Sequence, residues 1–420
     1  MFEIGLDISS SKISAVECFK TNKGILIKNA GIIDIEPHAI ADGELVDSVV
    51  LVEGLKNLWK NFKFQKKEIN LGLSNNKLSI KEIDLPVTDD KDIENAIKYQ
   101  IEDYFPIAKD NLIFDYYVIE KKNASSKVMV IGALKHIINN YIEAVQSAGL
   151  TINSIDLNCF AFYRAVNYAY NLKALKLSES GKIYCLVYFG QEVSIIEFAD
   201  ESEIRYPRFM NTSLNSYIEN LSRKIKISNG EPLKIIKEFD FEKLLIKENK
   251  KNIALLAQQE ITNNDADIKK PVSGEYVSKT EIGFENSIEK KAETESEQFK
   301  PNGEEPVLIF EDPKEKTTEI RDSLKISANQ LVNEIIRSID HFLQENRNTK
   351  IEKILISGEK LLNLDKYIEK NTKLPLEIID ISKLMPPDLF KNNSLIKEED
   401  ISEINSRLIM STGLALRGIK

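Results

Sequence analysis

Asp7 is the first residue of the chain whose setting suggests chemistry. It lies near the end of the apolar stretch Ile4 to Ile8, and Ser9, Ser10, Ser11 and Lys12 follow before apolar alternation resumes at Ile13. Strand, short polar turn, strand is the shape of a hairpin that holds a phosphate. In such a hairpin the backbone N–H groups of the turn face the anion, a carboxylate organises hydrated magnesium, and a lysine neutralises phosphate charge. Glycine normally permits the close approach and unusual dihedrals, and this turn contains none. The stretch therefore reads either as a working nucleotide site or as the remnant of one.

Other chemistries find little support. Cys18, Cys159 and Cys185 are far apart and set among apolar neighbours, and His38, His136 and His341 lie far from one another, so no metal-ligand spacing exists. Buried, reduced thiols are the expectation. Patterns for a nucleophilic serine, a P-loop or a zinc helix are missing. A formal charge of -9, with acidic and basic residues intermixed, argues against a general nucleic-acid binder. No stretch approaches the roughly 20 apolar residues of a membrane helix, and the N-terminus enters a strand without signal-peptide features. A cytoplasmic protein is expected.

The elements that must position Asp7 follow from periodicity. Ile4 to Ile8, Ile13 to Phe19 and Gly24 to Ile35 read as strands, Asp47 to Phe64 as a helix, and Ile69 to Leu73 as a strand. From Lys81 the pattern becomes strand, helix, two strands, helix: Thr88 or Asp89 caps a helix that runs to Phe105, and Pro106 stops it. Cys159 to Tyr170 is a helix rich in alanine and aromatic residues. Lys182 to Phe189 and Val193 to Ala199 then repeat the opening strand hairpin, which implies two related α/β halves facing one another. From about Glu248 to Glu305 periodicity fades, and such a polar stretch cannot offset its ordering entropy. It is expected to be a disordered insertion, with Ala254 to Ile261 as a candidate helix. Regular structure resumes at Ser323 to Gln344 and continues through the strand Glu352 to Ser357 to a terminal helix from Ile401.

The order of these pieces resembles the actin-like ATPase superfamily and, within it, the PilM family of type IV pilus assembly, related to the division protein FtsA. The matching stretches are Ile-Gly-Leu-Asp-Ile-Ser-Ser-Ser-Lys-Ile-Ser-Ala-Val-Glu (4–17), Glu-Ile-Asp-Leu-Pro (82–86), Ala-Ile-Lys-Tyr-Gln-Ile-Glu-Asp-Tyr-Phe-Pro-Ile (96–107), Phe-Asp-Tyr-Tyr-Val-Ile (114–119), Ile-Asp-Leu-Asn-Cys-Phe-Ala-Phe-Tyr-Arg-Ala (155–165), Glu-Ile-Ile-Arg-Ser-Ile-Asp-His-Phe (334–342), Ile-Leu-Ile-Ser-Gly (354–358) and Thr-Gly-Leu-Ala-Leu-Arg (412–417). The resemblance implies a two-lobed actin-like (ribonuclease H-like) α/β fold. The first lobe would be 1–79 and 154–178, with a small α+β subdomain inserted at 80–153. The second lobe would be 179–247 and 306–420, interrupted by the insertion at 248–305. It also implies ATP and magnesium in a cleft, held by phosphate hairpins at 5–17 and 187–194 and by an adenosine loop at 357–360. The implied partner is the N-terminal peptide of a PilN-like inner-membrane protein, in a groove between the main sheet and the small subdomain. The chain would sit at the inner face of the membrane through that partner, beside other pilus motor and platform components.

Tested residue by residue against that pattern, the nucleotide site is depleted. Asp7 is kept, the indirect magnesium ligand if ATP binds. Ser9 stands where relatives carry glycine, and Ser14 where they carry the phosphate lysine; Lys12 shares its strand face and is the one substitute. In the second hairpin Tyr188-Phe189-Gly190 replaces an Asp-x-Gly pattern, and tyrosine supplies no anionic ligand at neutral pH. Gln191 and Glu192 follow, and the adenosine loop reads Gly358-Glu359-Lys360. If binding survives, Asp7, Ser10, Ser11, Lys12, Gly190 and Gly358 are its ligands. Ile101, Tyr104, Phe105 and Tyr117 are candidate lining of the partner groove, with packing inside the subdomain as the competing role. The leading expectation is a scaffold with a degenerate nucleotide site and no catalytic residues. The alternatives are an active Mg-ATP-dependent ATPase of the same machine and an FtsA-like division protein. The latter is disfavoured because the chain ends at Arg417-Gly418-Ile419-Lys420 without an amphipathic membrane helix.

Overall fold

The computed structural model describes residues 2–22, 24–36, 38–41, 43–73, 78–170, 182–200, 204–225, 231–245, 313–379, 381, 384 and 401–419. The polar stretch 248–305, with the candidate helix at Ala254 to Ile261, lies outside them. Residues Met1–Leu245 and Glu319–Lys420 form one compact unit, and the cleft and groove described below lie within it.

Strands β1 (Phe2–Ile8), β2 (Lys12–Thr21) and β3 (Gly24–Asp34) form an antiparallel meander. After the short ladder β4 (Ile40–Ala41) and β5 (Glu44–Leu45), strands β6 (Glu68–Leu73) and β10 (Thr151–Leu157) extend the sheet in parallel, in the order β10-β6-β1-β2-β3. The second sheet is built the same way. Strands β11 (Lys182–Phe189), β12 (Ser194–Ala199) and β13 (Ile204–Met210) meander, and β14 (Lys350–Gly358) and β15 (Leu376–Ile378) add in parallel, giving β13-β12-β11-β14-β15. The repeated hairpin read from the sequence is thus the leading edge of a repeated sheet. A parallel addition needs a crossover, and these are supplied by helices and by the 80–153 segment.

That segment carries a third sheet, β7 (Ser79–Leu85), β8 (Leu112–Lys121) and β9 (Ser126–Leu134), in the order β7-β9-β8. Helix α2 (Asp90–Tyr104) packs on it, capped by Asp89, whose carboxylate accepts from the Lys91 N–H at 3.0 Å. Helix α1 (Ser48–Asn61) starts the same way, with Asp47 accepting from Val49 and Val50. Helices α3 (Lys135–Ser147) and α4 (Asn158–Tyr170) follow β9 and β10. In the second half lie α5 (Leu214–Ile225), α6 (Glu231–Glu238), α7 (Pro313–Glu345), α8 (Leu364–Thr372) and α9 (Ile401–Leu416).

Two apolar cores serve the two large sheets, and the first is shared by both, since it also takes Leu186, Ile195 and Leu355 of the second sheet. Leu6, Ile13, Val16, Leu55, Leu58, Phe162 and Leu408 belong to the first. Val187, Ile196, Phe198, Tyr217, Phe342 and Tyr367 belong to the second, where Phe198 and Phe342 stack at 4.2 Å. The three cysteines are buried free thiols, and burial pushes the Cys18 thiol up to about 12. Among the described residues no helix is long and apolar enough to cross a membrane.

Candidate functional site

The two sheets bring their hairpins to one cleft. In the first, the β1–β2 turn is closed by the Ser9 N–H donating to the Lys12 carbonyl at 2.9 Å, and the Ser9 hydroxyl donates to the same oxygen at 3.1 Å. The missing glycine is therefore replaced by a serine that fastens its own turn. Asp7 accepts a hydrogen bond at 2.8 Å from the Asn158 amide at the start of α4. Burial holds its carboxyl above the ordinary value of 3.8, and the Asn158 hydrogen bond and the charge of Lys12 only partly offset this.

In the second hairpin the Gly190 N–H donates to the Ser194 hydroxyl at 3.1 Å, and the Gly190 carbonyl accepts from the Leu214 N–H at 3.0 Å. A Cβ at Gly190 would lie 2.0 Å from the Val193 carbonyl oxygen, so only glycine fits that turn. Tyr188 projects from β11 toward α4, where its ring meets Phe162 edge-on at 5.7 Å. Its hydroxyl is held well above the usual tyrosine range by burial and by the nearby charges of Asp7 and Glu359, with Arg407 of α9 opposing. Tyr188 thus stays neutral at neutral pH.

Asp7, Ser9, Lys12, Asn158, Tyr188, Gly190 and Glu192 line the cleft, with Arg407 at its side. Lys12 is ion-paired with Glu359, which follows the turn at the end of β14. Of the sequence-derived candidates, Asp7, Lys12 and Gly190 come together here. Ser10 is buried, the Ser11 carbonyl accepts from the Ile35 N–H at 2.9 Å, and Gly358 packs on Phe189; these three lie off the cleft lining.

As arranged, the cleft does not fit a magnesium–triphosphate. Its cavity volume is about 40 Å³, room for a few waters and far below the roughly 300–1,000 Å³ of a cofactor pocket. Its one lysine is already paired with a carboxylate.

A second cavity is larger. About 300 Å³ opens between α1 and α3, lined by Leu45, Val46, Ser48, Val52, Asn140, Glu143, Ala144 and Ser147. Val46 in its lining is 66% exposed. It lies between an element of residues 1–79 and one of residues 80–153, but its lining is not the set read from the sequence. Ile101 and Phe105, both 1% exposed, belong to the core of the small sheet with Ile93, Ile97, Val128 and Val130. Ile101 lies on the inward face of α2, and Phe105, the extended residue that ends the helix, covers Gly132 with its ring. As groove residues these two are corrected to core. Tyr104 is half-buried and its hydroxyl bonds Gln100; Tyr117 is 59% exposed on β8 and available for contact.

Three residues with clear roles in the cleft were not singled out in the sequence as ligands: Asn158, Arg407 and Glu359. Asn158 opens a helix directly after β10, the usual place for a side chain to face a sheet's carboxyl end, and that position was the available signal. Arg407 lies within the terminal helix pattern and carries no such mark.

Comparison with known proteins bears on this geometry. A family model described as type IV pilus assembly protein PilM matches residues 5–242 and 313–419. No curated protein matches the chain in sequence. Among solved structures, a chain from the PilM-PilN type IV pilus biogenesis complex is 18% identical with a TM-score of 0.68, covering 100% of this chain and 98% of that one. The ethanolamine utilization protein EutJ from Carboxydothermus hydrogenoformans is 10% identical with a TM-score of 0.46, over 100% and 90%. MreB5 of Spiroplasma citri bound to ADP is 11% identical with a TM-score of 0.44, over 96% and 98%.

Proposed function

The chain belongs to the family of type IV pilus assembly protein PilM, an α/β protein of actin-like ATPase fold, and from that premise we propose that it is a scaffold of pilus assembly whose nucleotide cleft is degenerate. It binds the N-terminal peptide of a PilN-like membrane protein in the groove between α1 and α3, and that partner holds it at the inner face of the membrane. The observation that carries this reading is the contrast in space: a groove of about 300 Å³ with the exposed Val46 in its lining against a cleft of about 40 Å³. The relative solved as a PilM-PilN complex shares the fold along its whole length, which supports a partner of the same kind. Apolar anchors of a short peptide seat in such a groove, with main-chain hydrogen bonds fixing register.

A second reading, an active Mg-ATP-binding ATPase of the same machine, is favoured by one observation: Asp7 is retained at the cleft with an amide donor to orient it. Calorimetry separates the two. The scaffold reading expects no heat from millimolar ATP with magnesium, and saturable binding of a PilN-like N-terminal peptide. Micromolar nucleotide binding that disappears in Asp7→Ala would establish the second reading. A peptide that fails to bind the folded chain would end the first.

A further inference from the structure

Glu359 follows Gly358, which holds a φ of +108° and lies so close to the second hairpin that a Cβ would sit 2.1 Å from the Phe189 carbonyl oxygen. That turn brings the Glu359 N–H to the same oxygen, to which it donates at 2.6 Å. The backbone of Glu359 is therefore pinned to the end of β11 in the second sheet. Its side chain points the other way, to Lys12 of the first sheet, 347 residues distant in the chain. Lys12 is equally fixed, since its carbonyl takes both Ser9 bonds. The two side chains are 12% and 8% exposed, so water and salt screen their attraction weakly. A pair with both backbones held and little solvent is one whose loss is felt, because either charge left alone stays desolvated.

A phosphate in this cleft would face Lys12 and the two hairpin turns. A carboxylate carried by the chain itself now does so. We propose that Glu359 is a built-in counter-anion, which stands beside Lys12 in place of a bound phosphate and ties the two five-stranded sheets together across the cleft. The proposal rests on the degenerate-cleft reading above and specifies its physical cause: closure is supplied by the chain rather than by a ligand.

The test compares full-length wild type, Lys12→Met, Glu359→Gln, the double variant and the charge swap Lys12→Glu/Glu359→Lys by thermal unfolding. Each single change is expected to lower Tm by roughly 5 °C. The double variant should fall by clearly less than the sum, and the swap should recover part of the loss. Hydrogen exchange in Glu359→Gln should quicken at both turns, 9–12 and 189–194. Additive losses, or single variants that melt like wild type, overturn the proposal, as does a swap that is no better than the worse single. Titration of wild type with ATP and magnesium runs alongside. Heat there refutes the degenerate-cleft reading, whereas additive melts refute the counter-anion, so the two failures are told apart.

Discussion

The cleft between the hairpins and the groove between α1 and α3 are both concave, yet they are provisioned in opposite ways. In the cleft Lys12 faces Glu359 and Asp7 takes the Asn158 amide, while Tyr188 fills the space opposite. In the groove the walls mix the apolar Leu45, Val46, Val52 and Ala144 with the polar Ser48, Asn140, Glu143 and Ser147, and Val46 faces solvent. A surface satisfied by its own chain has little left to give a ligand. A groove whose apolar rim is still in water has burial free energy available, at about 25 cal/mol per Å². The difference teaches where binding is to be sought in this molecule.

The harshest way to break the comparison is at the turn that carries Glu359. Gly358→Val places a branched side chain at φ +108° and against the Phe189 backbone, and should cost about 3 kcal/mol or more. Urea melts of the soluble fraction check this; a wild-type midpoint would mean that the cleft is less tightly closed than described. Next in size is a change that fills the groove. Asn140→Trp, at an exposed position of α3, should weaken peptide binding at least tenfold, about 1.4 kcal/mol, with Tm nearly unchanged. Fluorescence anisotropy with a labelled peptide reads it, and undiminished affinity would move the partner site elsewhere.

The smallest effect sharpens the account of Asp7. Its folded pKa is raised by burial, so its contribution is complete below the unfolded value and is lost as pH rises through the folded one. At neutral pH the buried charge therefore costs stability. Asp7→Asn, which keeps an acceptor for Asn158, should melt above wild type at pH 7, with the gain shrinking as pH falls toward 4. Equal melting temperatures at both pH values would show that the carboxylate is not held against its preference.

Much of this architecture was legible because it is local. Alternation gave the strands of both hairpins, and their recurrence at Lys182 announced the second sheet. Thr88 or Asp89 at the near end and Pro106 at the far end bounded α2 closely, and the structure makes Asp89 the cap. The face of α2 was harder: Ile101, Tyr104 and Phe105 lie within five positions, and only the packed sheet decides that Ile101 and Phe105 turn inward. The cleft was half legible. Tyr188 could be recognised as a neutral residue in place of an acid, and Glu359 as a departure from a glycine pair. Their consequence could not be read, because the partner of Glu359 is 347 residues away and no local spacing links them. A groove beside the small subdomain was implied by the resemblance, but its lining was not legible, since its walls come from α1 and α3 and include serine, asparagine and alanine, which carry no motif.

The central claim is that partner binding does not depend on the nucleotide cleft. Two sites that both bias one equilibrium must influence each other reciprocally, so one titration tests it most directly. The PilN-like N-terminal peptide is titrated into the full-length chain with and without millimolar ATP and magnesium. The account predicts dissociation constants that agree within about twofold, or roughly 0.4 kcal/mol. Peptide binding that requires nucleotide, or that tightens tenfold with it, would contradict the account and restore the cleft as a working site.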